Sequence, residues 1–155
     1  LEQVRTFEMN EMAHVNDPAE IAAALRSART IAVVGCSPSP QRASNSIARY
    51  LIGAGYDVFP VNPGFDEILG RRAFASLEAI PAATRIDIVD VFRRSEFIPD
   101  IAGAALSRGA GFFWMQDGVS DEEWAARLAR SGIGVAMDRC IYRDRESLLR
   151  FGSVI

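Results

Sequence analysis

Two periods of apolar and polar positions alternate along this chain. From Asp17 to Arg29 the pattern predicts a helix: Asp17 can cap it, Pro18 suits the first helical position, Glu20 completes a capping box, and Ile21 and Leu25 share a face. Thr30-Ile31-Ala32-Val33-Val34-Gly35 follows, an apolar run rich in β-branched residues and closed by glycine, which predicts a strand buried on both faces. After a loop with two prolines, Ser44 is expected to cap a helix in which Ile47, Tyr50 and Leu51 recur at helical spacing and Gly53 and Gly55 mark the end. Tyr56 to Val61 is a second strand, stopped by Asn62-Pro63-Gly64. A short strand around Arg72 to Phe74 and a short helix around Ser76 to Ile80 come next. Ile86 to Phe92 is an apolar strand, Phe97 to Arg108 a helix with Ile98, Ile101 and Ala105 inward, and Gly111 to Met115 another strand. Ser120 is expected to cap a helix with Trp124 and Leu128 on its apolar face, before a last strand at Ile133 to Met137.

Strand and helix in regular alternation imply an α/β fold: a Rossmann-like, doubly wound, mainly parallel sheet with helices on both faces. Residues 1–16 lack this patterning and are read as an N-terminal extension, and 17–155 as one domain without an interdomain linker. The length of 155 residues and the 49% hydrophobic content suit a single core.

Charge removes some function classes. Seventeen basic side chains stand against 20 acidic ones, so the basic excess demanded by duplex nucleic acid is missing. No apolar run approaches the roughly 20 residues of a membrane span, and the expectation is a cytoplasmic protein without a membrane or nucleic-acid partner. Every basic residue is Arg, so neither a phosphate loop that depends on Lys nor Schiff-base chemistry is available. His14, the single histidine, lies in the extension, which disfavours a Ser-His-Asp or Cys-His enzyme. Cys36 and Cys140 have no metal-site spacing and are read as reduced; no metal site and no catalytic residue is assigned.

In a doubly wound sheet ligands bind beyond the carboxyl ends of the strands, where strand order reverses. The loop Gly35-Cys36-Ser37-Pro38-Ser39-Pro40-Gln41-Arg42-Ala43-Ser44 leaves the first strand and enters a helix N-terminus, a setting that favours anions. Gly35 would permit close backbone approach, Ser37 and Ser44 offer hydroxyls, and Arg42 offers a fork matched to phosphate oxygens. A proline-rich turn with capping serines and a solvated Arg would look the same. The dinucleotide fingerprint G-x-G-x-x-G is not present, and Asp57 stands at the beginning of the second strand, the wrong end to reach a ribose.

An ordered series of motifs resembles the stand-alone CoA-binding domain family. It comprises Val33-Val34-Gly35-x-Ser37 with Pro40 and Arg42, Gly55-Tyr56-x-Val58-x-Pro60-Val61-Asn62-Pro63, Glu67-Ile68-x-Gly70, Asp87-x-Val89-Asp90-Val91-Phe92-Arg93, Trp114-x-Gln116-x-Gly118-Val119 and Met137-Asp138-Arg139-Cys140. The resemblance implies a fold similar to the CoA-binding domain of the succinyl-CoA synthetase α-subunit. It further implies that Gly35, Cys36, Ser37, Pro40 and Arg42 line a phosphate region, that Val61, Asn62 and Pro63 flank the adenosine, and that Phe92, Arg93 and Arg94 face the site across the switch point. Core packing for Phe92 and a solvated helix start for the two arginines are the plain alternatives.

The function implied is noncovalent binding of CoA or acyl-CoA through its nucleotide-phosphate half. Alternatives are an enzyme with Asp138 as its proton-transfer group, either a component of a CoA-dependent ligase or transferase or an atypical NAD(P) oxidoreductase, and a nucleotide-stabilised scaffold whose Trp114 loop docks a protein. A protein partner or a homodimer stays open. Cys36 replaces the alanine common at its position; it is either a small buried residue or a thiol able to form a mixed disulfide with CoA. Asp138, Arg139 and Cys140 form either a second functional cluster or an Asp–Arg pair that fastens a loop.

Overall fold

The computed structural model describes residues 2–155. Five parallel strands form one sheet in the order β2-β1-β5-β6-β7, with β1 at Thr30–Val34, β2 at Asp57–Val61, β5 at Ile88–Val91, β6 at Phe112–Met115 and β7 at Gly134–Ala136. A separate antiparallel pair, β3 (Glu67–Ile68) and β4 (Arg71–Arg72), fills the stretch between β2 and β5. The chain lays β2 on one side of β1, then returns to the other side for β5, so strand order reverses between β1 and β5.

The apolar runs follow from burial on two faces. Ile31 and Val33 of β1, Ile88 of β5, and Phe112 and Trp114 of β6 point to one layer, under helices α2 (Pro18–Ser27), α3 (Ala43–Gly53) and α6 (Ile141–Phe151). Ala32, Val34, Val89, Val91, Phe113 and Met115 point to the other, under α4 (Ile98–Ser107) and α5 (Glu122–Arg130). Both registers are apolar because no strand face in the middle of the sheet meets water. Asp90 is the exception.

Helix starts show where local chemistry differs from the sequence reading. Asp17 caps α2 as expected, its carboxylate accepting from the N–H groups of Ala19 and Glu20 at 2.8 and 3.1 Å. Ser44 does not cap α3: the cap position is Arg42, and Ser44 sits buried inside the first turn. At α5 the cap is Asp121 rather than Ser120, its side chain accepting from Trp124 N–H at 2.9 Å. A carboxylate takes this role well because it meets the positive end of the helix dipole. In α4 the fully buried residues are Ile98, Ala102 and Ala105, and Ile101 packs against the core at its edge while also lining a cleft.

Both chain ends hold structure that the patterning did not reveal. Helix α1 (Glu2–Met12) packs on α5, where the Glu11 carboxylate accepts from Arg130 Nε and Nη2 at 2.8 and 2.9 Å. Val15 then pairs with Val135 of β7, and the Asn16 side chain bonds both backbone groups of Met137. This covers the edge of β7, a place where unpaired strand groups invite association. At the other end, α6 closes the face below α2 and α3. Among the described residues, no helix is long and apolar enough to cross a membrane.

Candidate functional site

β1 delivers the chain to the carboxyl rim of the sheet at Gly35, where φ is +83°. Its N–H donates to the Val61 carbonyl of β2 at 2.9 Å, which pins the loop across the first two strands. A Cβ here would lie 3.0 Å from the Phe92 carbonyl oxygen and 3.0 Å from Cδ of Arg93. Glycine is therefore required twice, by its left-handed backbone and by the close passage of the chain leaving β5. The loops after β1 and β5 thus meet where strand order reverses. A cleft of about 230 Å³ opens there, with Val34, Val61 and Leu77 on its floor and Arg93, Phe97 and Ile101 along one wall.

The loop from Cys36 to Arg42 is organised by its own side chains. Ser44 Oγ accepts from Ser37 N–H at 3.0 Å, Ser37 Oγ accepts from Ser39 N–H at 3.1 Å, and Asn45 donates to the Ser37 carbonyl at 2.9 Å. Each serine oxygen spends a lone pair on the loop and keeps its O–H proton to donate. Asn62 braces the arrangement from β2: its amide donates to the Cys36 carbonyl at 2.9 Å, and its Oδ1 accepts from Gly64 N–H at 3.0 Å. Ser44 and Asn62 act first as braces of the loop. Pro63 lines the cleft, whereas Pro40 stands exposed on the outer side of the loop.

The three candidate arginines differ. Arg42 is exposed at the start of α3, where it provides no side-chain cap, and among the described residues its guanidinium has no partner. Arg93 lines the cleft with its guanidinium 4.2 Å from the Phe97 ring centre, a cation–π contact that leaves its N–H groups open. Arg94 turns to solvent, 80% exposed, and pairs with Glu96 at 3.0 Å. Phe92 is half-buried and packs against the core on the α3 side.

Cys36 is fully buried, with Sγ 4.0 Å from the Ser44 carbonyl. Burial, reinforced by the Asp90 carboxyl, pushes its thiol up to about 11, so thiolate chemistry with CoA is disfavoured. Trp114 is also fully buried and donates to the Arg139 carbonyl at 3.0 Å, which removes it as an exposed docking loop. Buried Gln116 accepts from Ile141 N–H, Asp138 accepts from Gly118 N–H at 2.7 Å, and Arg139 pairs with Asp144 at 2.7 Å. The Asp138–Arg139–Cys140 segment thus fastens loops, but through Gly118 and Asp144 and not through an Asp138–Arg139 pair. Asp138 holds the turn after β6 in place.

Patterning did not identify Ser76, Glu78, Phe97 and Asp100 as part of the cleft wall. They come from the irregular stretch after β4 and the start of α4, and only the three-dimensional return of those segments to the β1 end brings them together. The signal available in the sequence was the irregularity of that stretch itself, since non-repetitive loops on a regular scaffold gather at binding sites.

Related proteins share this architecture. The chain is 45% identical over 123 residues to the uncharacterized protein YneT of Bacillus subtilis (strain 168), covering 79% of this chain and 90% of that one. A hypothetical protein from Pyrococcus horikoshii OT3 superposes with a TM-score of 0.80 at 34% identity, covering 84% and 91% of the two chains. A dinucleotide-forming acetyl-coenzyme A synthetase from Candidatus Korarchaeum cryptofilum, solved with phosphate and ADP, matches with a TM-score of 0.61 at 24% identity. There the match spans 69% of this chain but 25% of the synthetase, and it speaks for the fold alone. The family model described as a CoA binding domain matches residues 29–146, and the chain therefore belongs to the CoA-binding domain family.

Proposed function

We propose that this protein binds CoA or an acyl-CoA noncovalently, by its nucleotide half, at the carboxyl rim between β1 and β5. The observation that carries this reading is the Gly35 crossing: a backbone bare of side chain, beside an open cleft, with the guanidinium groups of Arg42 and Arg93 free of carboxylates among the described residues. CoA brings a pyrophosphate and a 3′-phosphate, and those charges belong on the side of the loop and the α3 N-terminus. The cleft wall carries Glu78 and Asp100, which repel phosphate, alongside Val34, Val61, Leu77 and Ile101, which suit an adenine ring or the pantetheine arm. No residue at this rim is assigned a catalytic step. The Trp114 scaffold reading loses its basis with Trp114 buried, and Asp138 is engaged in loop closure.

Calorimetry with CoA, dephospho-CoA, ADP and NAD tests the assignment. CoA is expected to bind tightest, dephospho-CoA and ADP more weakly for want of phosphate contacts, and NAD weakest. Equal heats for all four, or none, would overturn it.

A further inference from the structure

Asp90 lies in the middle strand of the sheet, paired with Val33 on β1 and Trp114 on β6, on the face covered by α2, α3 and α6. Its exposure is 0%, and among the described residues neither carboxylate oxygen has a hydrogen-bond partner. One further buried polar atom shares this condition among the described residues, Asn45 Oδ1 in the first turn of α3. The three orphaned atoms are all acceptors. Donors on the same face are spent elsewhere: the Cys36 thiol on the Ser44 carbonyl, the Tyr56 hydroxyl on the Leu25 carbonyl, and Trp114 Nε1 on the Arg139 carbonyl. Among the described residues, no cation neutralises the site either. The titratable groups on and around this face include Cys36, coupled electrostatically to Asp90, Tyr56, the Arg139–Asp144 pair, and Arg145 and Glu146, both bonded to Tyr50. Residues of α2 and α3 that carry charge, Glu20, Arg26 and Arg49, point to solvent.

An ionised carboxylate without a donor or a counter-charge is the costliest group a core can hold, and a carboxyl group so placed keeps its proton. We propose that Asp90 stands as a neutral acid and is a positioning residue for the anion loop, its O–H supplying the missing donor to Asn45 Oδ1 beneath Gly35–Ser37. Asn45 in turn holds the Ser37 carbonyl through its amide. A proton on Asp90 would therefore orient Asn45, fix the loop, and keep negative charge out from under the phosphates. This rests on the CoA reading only for the identity of the anion above the loop. Burial also pushes the Asp90 pKa well above the ordinary carboxylate range.

The test compares the wild type with Asp90→Asn, which keeps a donor, and Asp90→Leu, which has none. Infrared spectroscopy of the ligand-free wild type at pH 7 is expected to show a buried protonated carboxyl band that Asp90→Asn lacks. Hydrogen exchange of the 35–39 amides and CoA affinity are expected to hold in Asp90→Asn; in Asp90→Leu exchange accelerates and affinity falls, each about tenfold. A missing acid band overturns the proposal, as does Asp90→Leu with unchanged exchange. If Asp90→Leu does not fold, the other variant decides. The folding constant of Asp90→Asn relative to wild type should grow with pH above about 4, by up to about tenfold per unit, because the wild-type acid loses its advantage as its unfolded counterpart ionises. A ratio flat with pH overturns the proposal. A wild type with the acid band and the exchange pattern but no heat from CoA refutes the ligand and leaves Asp90 in its role.

Discussion

At the amino rim of the sheet, Asp87 accepts hydrogen bonds from Arg29 N–H, Thr30 N–H and Arg85 Nε at 2.8, 3.1 and 2.9 Å. Thr30 Oγ1 donates to the Arg85 carbonyl at 2.6 Å and accepts from Asp87 N–H at 2.9 Å. Nearby, the Arg108 guanidinium donates to the carbonyls of Leu77, Ile80, Pro81 and Thr84. At the carboxyl rim the guanidinium groups of Arg42 and Arg93 have no carbonyl or carboxylate among the described residues, and the backbone is bare at Gly35. The same residue types thus close one rim onto the protein itself and leave the other with unspent donors. Unspent donors beside a cleft are what a ligand can use, whereas the spent ones stabilise the fold.

Breaking the closed rim should cost stability without touching binding. Asp87→Ala strands the Arg29 and Thr30 N–H groups and is expected to lower unfolding free energy by about 2–3 kcal/mol, with CoA affinity unchanged. Denaturant melts with calorimetry on the folded variant check both halves. Its pH dependence has a definite sign. Burial alone would raise the Asp87 pKa, but the two backbone donors and Arg85 outweigh it and hold the pKa below its ordinary value. The stabilisation is therefore present above about pH 4 and lost as pH falls through the folded value. The acid limb of the wild-type stability curve should accordingly be steeper than that of Asp87→Ala. Asp90, three residues further along, has the opposite sign and loses stability upward in pH.

Breaking the open rim should do the reverse. Arg42→Ala removes an exposed side chain with no partner among the described residues, so stability should stay within about 0.5 kcal/mol. Its loss of a charged hydrogen bond to phosphate should weaken CoA by about 1.5–3 kcal/mol, and ADP by a similar amount if the contact is to the pyrophosphate. An unchanged calorimetric affinity would count against Arg42 as a ligand residue.

How these rims read from the sequence follows from what each element needs. β1, β5 and β6 were legible because strands buried on both faces must be continuously apolar, and α2 because Asp17, Pro18 and Glu20 announce it. Helix α6 was not, since Ile141, Asp144 and Leu148 are its only buried residues and Cys140 gives no side-chain cap. Its one clear mark, Gly152 in the left-handed region, comes after the helix has ended. The Gly35–Arg42 loop stood out through its composition, but the far wall of the cleft did not, because Glu78 and Asp100 become neighbours of Gly35 only after two crossovers. Asp90 was visible as an acid within an apolar run. What the run could not convey was that no donor waits for it.

The finest division at the open rim is between two adjacent arginines. Arg93 lies along the cleft, its stem against the position a Gly35 side chain would occupy and its head over Phe97. Arg94, one residue on, is 80% exposed and held by Glu96, which is itself 62% exposed. An exposed pair of this kind contributes roughly 0–1 kcal/mol, and its guanidinium already has an anion. Arg94→Ala should therefore change CoA affinity by less than about threefold, a shift below about 0.7 kcal/mol, while Arg93→Ala should exceed it by about tenfold. The direction of the charge, not its count, governs that expectation: both variants remove one positive unit from the same rim, so a purely long-range attraction would weaken binding equally and would fade alike with salt. Calorimetry of the two variants at low and high ionic strength separates contact from field.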